Sequence, residues 1–267
     1  MNFQKDLAII LRVVPYEDRH RIVTALTEKQ GKVSALARNA VQSRRFGGCL
    51  DLFAASEWSI RSKPGAELLQ LEEAVIRRGF ERIRGRLETL TAASALVELV
   101  NKALPAQQPV PDVFKLLSNA LVTLEELPEE RSTLPLLNLF MGKLLHLAGH
   151  RPRLESCLKC GYTLTDCVQR QDPTLRAHLE HAGWLCAACA PRGGTLSPLA
   201  LLRLVRLIPL PIRAAAEPID LAEEEERELL RFLEGLMVFH VPGFDRSPIK
   251  SLRLIESRLP PLADPAQ

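Results

Sequence analysis

The sequence predicts an α+β protein in which a closed five-stranded β-barrel precedes an all-α domain with an inserted cysteine-rich module. Three observations carry this prediction. Apolar residues alternate in short runs up to Phe80, they recur at helical spacing after it, and two Cys-x-x-Cys pairs interrupt the helical part. The composition, 46% hydrophobic and 25% charged in 267 residues, is typical of a folded globular chain. We expect a barrel domain at 1–80, a helical domain formed by 81–152 and 195–267, and an insert at 153–194.

The predicted strands follow one another closely. Residues 6–14 are rich in β-branched side chains and end at Pro15, and the runs 22–27 and 32–37 are separated only by a short turn at Gly31. After a glycine-containing loop, the runs 52–60 and 68–76 flank a turn at Pro64 and Gly65. Five short strands in about 80 residues are typical of a barrel of the oligonucleotide/oligosaccharide-binding (OB) type.

Helical periodicity begins after Phe80. Leucine and valine recur at spacings of three and four over 87–104, 113–124 and 134–147, and each run ends near a proline or glycine. Ser197 followed by Pro198 predicts the start of a helix over 199–208. Asp220 with Glu223 predicts the start of another that reaches Phe239. A last helix is expected over 248–259.

The cysteine pairs predict a structural zinc site. Two Cys-x-x-Cys knuckles can bring four thiolates together in a tetrahedron around one ion. Such a site has no coordination position left for a reactive water. The four expected ligands are Cys157, Cys160, Cys186 and Cys189. Two disulfides are the alternative, but they need an oxidising compartment. His178 and His181 are near enough in sequence to act as substitute ligands if the knuckle geometry fails. Cys167 is expected to be a spare thiol, and Cys49 a small buried residue of the barrel.

The charge is unevenly placed along the chain. The formal net charge is only +3, yet residues 1–80 hold 13 basic and 9 acidic side chains. No acid occurs between Glu28 and Asp51. We expect the basic residues of this stretch to contact the phosphates of a nucleic acid, with these as the candidates: Lys32, Arg38, Arg44 and Arg45. Further basic residues could extend the track: Arg12, Arg19, Arg21, Arg61 and Lys63. The alternative is a solvated surface that only keeps the protein in solution.

Stacking on bases would need exposed aromatic side chains in the barrel. Phe53 and Trp58 lie in an apolar run and are expected to be core residues. We therefore expect binding that is mainly electrostatic and indifferent to sequence.

Other classes of protein are disfavoured. The first residues lack the apolar core of a signal peptide, and the apolar stretch 196–212 is interrupted by arginines and prolines. A cytoplasmic protein with reduced thiols is therefore expected. The chain has no Walker A lysine, nucleophile elbow or HExxH motif, so an enzyme is not expected.

The sequence resembles the bacterial recombination mediator family RecO. The similarity rests on the pattern of 7–14 followed by Pro15-Tyr16-Glu17-Asp18-Arg19, on Gln30-Gly31-Lys32 and Ala37-Arg38, on Gly47-Gly48 and Leu52-Phe53, and on Ile249-Lys250-Ser251-Leu252-Arg253-Leu254-Ile255. The cysteine insert is similar to that of the zinc-bearing members. The chain departs from the family at 15–20, where a glycine usually precedes the acid.

This resemblance implies a DNA repair protein that is not an enzyme. Such proteins bind single- and double-stranded DNA, anneal complementary strands, bind the acidic tail of single-strand DNA-binding protein, and with RecR help load RecA on coated strands. A nucleoid-associated location in the cytoplasm is implied as well. Lys32, Arg38, Arg44 and Arg45 match basic positions of the family's barrel. A hydrophobic pocket with a basic rim in the helical domain is expected to hold the tail, although no motif places it.

Two other functions remain open on the sequence alone. A barrel joined to a four-cysteine module also suits a zinc-ribbon protein that binds RNA. A zinc hydrolase is a third class, but it needs an open metal position that four cysteines do not leave.

Overall fold

The computed structural model of the chain describes residues 2–41, 43, 46–62, 68–217, 221–244 and 249–256. The strands are β1 (Asn2–Tyr16), β2 (His20–Thr27), β3 (Gly31–Ala37), β4 (Ala55–Ser62), β5 (Leu68–Arg78), β6 (Leu175–His178), β7 (Gly183–Cys186) and β8 (Thr195–Leu196). The helices are α1 (Glu81–Gly85), α2 (Leu87–Ala103), α3 (Pro111–Glu126), α4 (Leu134–Leu147), α5 (Leu164–Gln169), α6 (Pro198–Leu207), α7 (Glu223–His240) and α8 (Lys250–Glu256). Short 3-10 helices cover Ile212–Ala216 and Pro242–Phe244.

The predicted barrel is confirmed. Its strands close in the order β1-β2-β3-β5-β4, and β4 pairs back with β1. All pairs are antiparallel except β3 with β5. The long strand β1 closes the barrel, because its first half pairs with β4 and its second half pairs with β2. The register of its pairing with β2 is irregular between Ile10 and Arg12.

The barrel interior is filled by residues that alternate along the strands. Ile10, Val23, Ala35 and Trp58 are fully buried in one hydrophobic cluster. Trp58 donates its indole N–H to Ser56 Oγ at 3.0 Å, so the largest core side chain has its polar atom satisfied. The burial expected for Cys49 is also observed.

One strand begins later than the sequence pattern indicates. Leu52 and Phe53 belong to a turn, and β4 starts at Ala55. Phe53 adopts a φ of 55° there, and its ring is fully buried with the Arg84 guanidinium 4.5 Å from the ring centroid. Phe53 N–H still donates to the Ile10 carbonyl of β1 at 2.9 Å, and burial of its ring explains the apolar run at this point.

The chain forms two compact units. Unit 1 contains residues 1–101, 106–109 and 248–267, and unit 2 contains 102–105 and 110–247. In unit 1, the C-terminal helix is held by Glu98 of α2. The Glu98 carboxylate accepts hydrogen bonds from Lys250 N–H (3.0 Å), Ser251 N–H (2.9 Å) and the Ser251 hydroxyl (2.6 Å). This contact gives the Lys-Ser sequence near the C-terminus a structural role.

Unit 2 is a helical assembly around α4, which is buried along most of its length and packs against α3, α6 and α7. The predicted cap at Ser197 is confirmed, since its hydroxyl accepts from Ala200 N–H at 3.3 Å. Helix α7 begins after Ala222, whose N–H donates to the Glu225 carboxylate at 2.9 Å; Asp220 lies outside the described residues. Within the described ranges, no helix is both long enough and apolar enough to cross a membrane.

Candidate nucleic-acid interface and metal centre

The outer face of β1, β2 and β3 carries two rows of side chains that the register of the sheet defines. One row contains Arg12, Thr24 and Ser34, with a 3.0 Å hydrogen bond between the two hydroxyls. The next row contains the half-buried Val14, Ile22 and Leu36. In an OB barrel this face and the loop between the first two strands are where oligonucleotides bind.

A third row lies where these strands end. Tyr16 pairs with His20, and His20 Nδ1 accepts from Asn39 N–H at 2.9 Å, so the first residues after β3 lie beside the start of β2. Val41 N–H donates to the Arg19 carbonyl at 3.3 Å. Arg21 pairs with Ala37, directly before Arg38.

These pairings place one aromatic residue and three arginines at the same end of the strands. We call Tyr16, Arg19, Arg21 and Arg38 the turn-end cluster. Arg21 is half-exposed and the other three are exposed. Within the described ranges, no carboxylate forms an ion pair with any of the three guanidinium groups. Glu17 and Asp18 lie in the same turn, and Glu17 Oε2 is 3.4 Å from His20 Nε2.

Lys32 lies at the opposite end of β3 from Arg38, about 20 Å away along the strand. Its ammonium donates to the Asn101 carbonyl at 2.6 Å, in the last turn of α2. Burial lowers the pKa of the Lys32 ammonium. A cation at the C-terminus of a helix stabilises the helix dipole, so this side chain already has a structural partner.

Arg44 and Arg45 lie outside the described residues. The residues that flank them are fixed, because Phe46 N–H donates to the Ser43 carbonyl at 3.4 Å and the Phe46 ring is buried. The expected core positions of Phe53 and Trp58 are both observed.

The sequence pattern indicates Arg19 and Arg21 only as possible extensions of the basic track, and it does not single out Tyr16. A signal is present nonetheless, since the alternation in β1 puts Arg12, Val14 and Tyr16 on one face. The short turn at Gly31 indicates that β2 pairs with β3, but the sequence pattern does not give the register that places Arg21 next to the residues around Arg38.

The four predicted cysteine ligands converge in unit 2. Their Sγ atoms all lie within 4.8 Å of one another, and Cys160 Sγ is 3.7 Å from Cys186 Sγ. Four sulfurs at about 2.3 Å from a zinc ion would be about 3.8 Å apart, so the geometry fits a tetrahedral metal site. The two knuckles stand at the start of the insert and at the end of β7, and backbone bonds from Gly161 N–H to Cys157 O and from Ala190 N–H to Cys186 O close each turn.

The backbone around Cys157 favours its thiolate, whereas burial raises the pKa of Cys186 and hydrogen bonds with the neighbouring thiols raise that of Cys189. Burial opposes ionisation of Cys157, but the backbone N–H groups of Cys160, Cys186 and Lys159 outweigh it and lower the pKa of this thiol to about 6. Cys167 is fully buried and does not belong to the group of four. His178 and His181 lie edge to face with ring centroids 4.9 Å apart, also outside the group.

Comparison with known proteins identifies the family. The family described as "Recombination protein O N terminal" matches residues 1–80, and "Recombination protein O C terminal" matches residues 84–249. A relative from Anaeromyxobacter dehalogenans named "DNA repair protein RecO" is 36% identical over 241 residues, which cover 88% of this chain and 91% of the relative. Another of the same name from Geobacter metallireducens is 31% identical over 254 residues, covering 93% and 95%. The chain therefore belongs to the RecO family of DNA repair proteins.

Proposed function

We propose that this protein is a non-enzymatic mediator of recombination that binds single- and double-stranded DNA without sequence preference and anneals complementary strands. The observation that carries the proposal is the turn-end cluster, in which three arginines without ion-pair partners among the described residues lie at one end of β1–β3, at or beside the loop between the first two strands of an OB barrel. Arg44 and Arg45 belong to the proposed contact set as well. Membership of a DNA repair family supports the same conclusion.

Annealing follows from charge neutralisation. Two complementary strands repel each other through their phosphates, and arginines that bind phosphate displace counterions and lower this repulsion. Guanidinium groups suit the task because they hold phosphate oxygens in a bidentate geometry. Because contacts to phosphate carry no sequence information, such a protein serves any pair of complementary strands.

We propose that the four-cysteine site holds zinc and that the zinc is structural. The donor set supports this, since four thiolates satisfy a tetrahedral zinc ion and leave no position for an activated water. The metal would supply cross-linking of the two knuckles, which lie 25 residues apart in the chain. A structural zinc also favours a mediator over a hydrolase.

DNA binding by the turn-end cluster can be tested by charge reversal. The triple variant Arg19→Glu, Arg21→Glu and Arg38→Glu should bind single strands more weakly, and the slope of log affinity against log salt should fall by about 0.7 for each phosphate that is no longer neutralised. Arg77→Glu is the matched control, because Arg77 is an exposed barrel arginine that is ion-paired with Glu57 at 2.6 Å. Fluorescence anisotropy over a salt series measures the affinity and the salt slope of each variant. An unchanged slope in the triple variant removes the turn-end cluster from the interface.

We further propose that unit 2 binds the acidic, aromatic-ended tail of single-strand DNA-binding protein, and that RecR and RecA act with the protein on coated strands. A cavity of about 290 Å³ supports the first point. Its apolar lining includes Leu116, Leu147 and Ile208, and Lys143 and His146 line it together with one carboxylate, that of Asp112. A second cavity is lined by four carboxylates against one arginine and is unsuited to an acidic peptide.

The cavity also has a stable wall. The Lys143 ammonium donates to the carbonyls of Ile208 and of Leu210, the latter at 2.6 Å, and thereby holds the end of α6 against α4. Burial lowers the pKa of Lys143.

Tail binding can be tested by substituting two leucines whose exposed fractions are nearly equal. Leu147→Glu places a negative charge in the cavity and should weaken binding of an acidic tail peptide by about tenfold or more. Leu199→Glu is the control, because Leu199 is 46% exposed, as against 45% for Leu147, but does not line the cavity. Calorimetry with the peptide measures both. Equal affinities of the two variants would contradict this placement.

A further inference from the structure

Tyr16 differs from the other aromatic side chains of the barrel. Phe46, Phe53, Trp58 and Phe80 are all buried, whereas Tyr16 is 43% exposed. Phe3, at the other end of β1, is also exposed, but the Arg61 guanidinium lies 5.7 Å from its ring centroid. Within the described residues, no ring or cation covers Tyr16.

The position of Tyr16 is fixed by the sheet. It pairs with His20 across the β1–β2 ladder, and it shares the outer face with Val14, two residues earlier. Adjacent strands are about 4.8 Å apart, so the backbone of Arg38, two strands away, lies about 10 Å from that of Tyr16. The long side chains of Arg38 and Arg19 can therefore reach the phosphates on either side of a base that rests on the ring.

We propose that Tyr16 is a stacking platform for an unpaired nucleobase and gives the barrel a preference for single-stranded over double-stranded nucleic acid. This inference rests on the proposed function and names the residue that selects the strand form. Every base has a π-face, so stacking on tyrosine tolerates any sequence. In a duplex those faces are already stacked on neighbouring base pairs, and only the phosphates remain for the arginines.

The charges around Tyr16 agree with this assignment. Glu17 and Asp18 follow it directly, and Glu17 lies 3.4 Å from His20. Carboxylates at this point repel a phosphate but tolerate a neutral base. The arrangement therefore suits a strand whose base meets Tyr16 while its flanking phosphates turn toward the arginines.

The test compares three variants on an oligothymidine strand and on a hairpin duplex. Tyr16→Ala should bind the single strand at least about fivefold more weakly, as expected for loss of one stacked base, and the duplex within about twofold of wild type. Tyr16→Phe keeps the ring and should bind as wild type. Phe3→Ala is the matched control, since it removes the other exposed aromatic side chain of the barrel, and its affinities for both strand forms should be unchanged.

A photochemical measurement gives an independent readout. A strand carrying 5-iodouracil should cross-link to Tyr16, and peptide mapping by mass spectrometry identifies the position. The inference is overturned if Tyr16→Ala binds single strands as wild type does, if it loses both strand forms equally, or if the cross-link maps elsewhere. Failure of the wild-type protein to bind either form would instead overturn the proposed function on which the inference rests.

Discussion

At the scale of single residues, Glu98 shows how one side chain fixes a whole element. Its carboxylate accepts three hydrogen bonds from the first residues of α8, at 2.6 to 3.0 Å. Leu252, in the same helix, is fully buried. A carboxylate in this position replaces the missing carbonyls at the start of a helix and favours its dipole.

Removing this carboxylate should loosen the C-terminal helix. We expect Glu98→Ala to lower the free energy of unfolding by about 1 to 3 kcal/mol, because it leaves the donors of α8 without their acceptor. Glu98→Gln keeps one acceptor oxygen and should cost less. Thermal denaturation followed by circular dichroism measures both, and equal stabilities for Glu98→Ala and wild type would show that α8 does not depend on this carboxylate.

The contacts of single residues are the part of the structure that the sequence predicts least well. Lys32 and Arg38 look alike in the sequence, since both are basic and belong to one stretch without acids. The structure separates them, because the Lys32 ammonium bonds to Asn101, which is 69 residues away in the chain. No local pattern reports such a partner. By contrast, the buried positions of Phe53 and Trp58 follow from their apolar neighbours and are predictable.

At the scale of elements, the cysteine knuckles are predictable and the strand pairing is only partly so. The Cys-x-x-Cys spacing is a local signal, and the four thiols converge as it indicates. The alternation of apolar residues predicts five strands, but the parallel pairing of β3 with β5 depends on closure of the barrel. The predicted start of β4 is wrong because a buried Phe53 in a turn resembles a strand residue.

Metal analysis tests whether the two knuckles together hold one zinc ion. The purified protein under reducing conditions should contain one zinc per chain, and Cys157→Ser should lose the metal together with several degrees of thermal stability. Cys167→Ala is the control, since this thiol is buried in the same module but lies outside the group of four, and it should retain zinc. Atomic emission measures the content. Less than about half an equivalent in the wild-type protein would contradict the zinc site.

At the scale of the whole molecule, only unit 1 has an excess of positive charge. Unit 1 holds 19 basic and 14 acidic side chains, which leaves 16 basic and 18 acidic for unit 2. Unit 1 also includes residues from both ends of the chain, joined by contacts such as that of Glu98 with Ser251. The sequence shows where the basic residues are, but which segments assemble into the unit depends on contacts between distant positions.

We propose that arginines of the barrel neutralise phosphates and so allow two DNA strands to pair. This can be measured as the rate at which two complementary oligonucleotides anneal, followed by fluorescence quenching over a salt series. We predict that the wild-type protein accelerates annealing at low salt, that the acceleration declines as salt rises, and that the Arg19→Glu, Arg21→Glu, Arg38→Glu variant loses it while Arg77→Glu retains it. Absence of acceleration at low salt, or equal acceleration by the triple variant, would show that these arginines do not promote annealing.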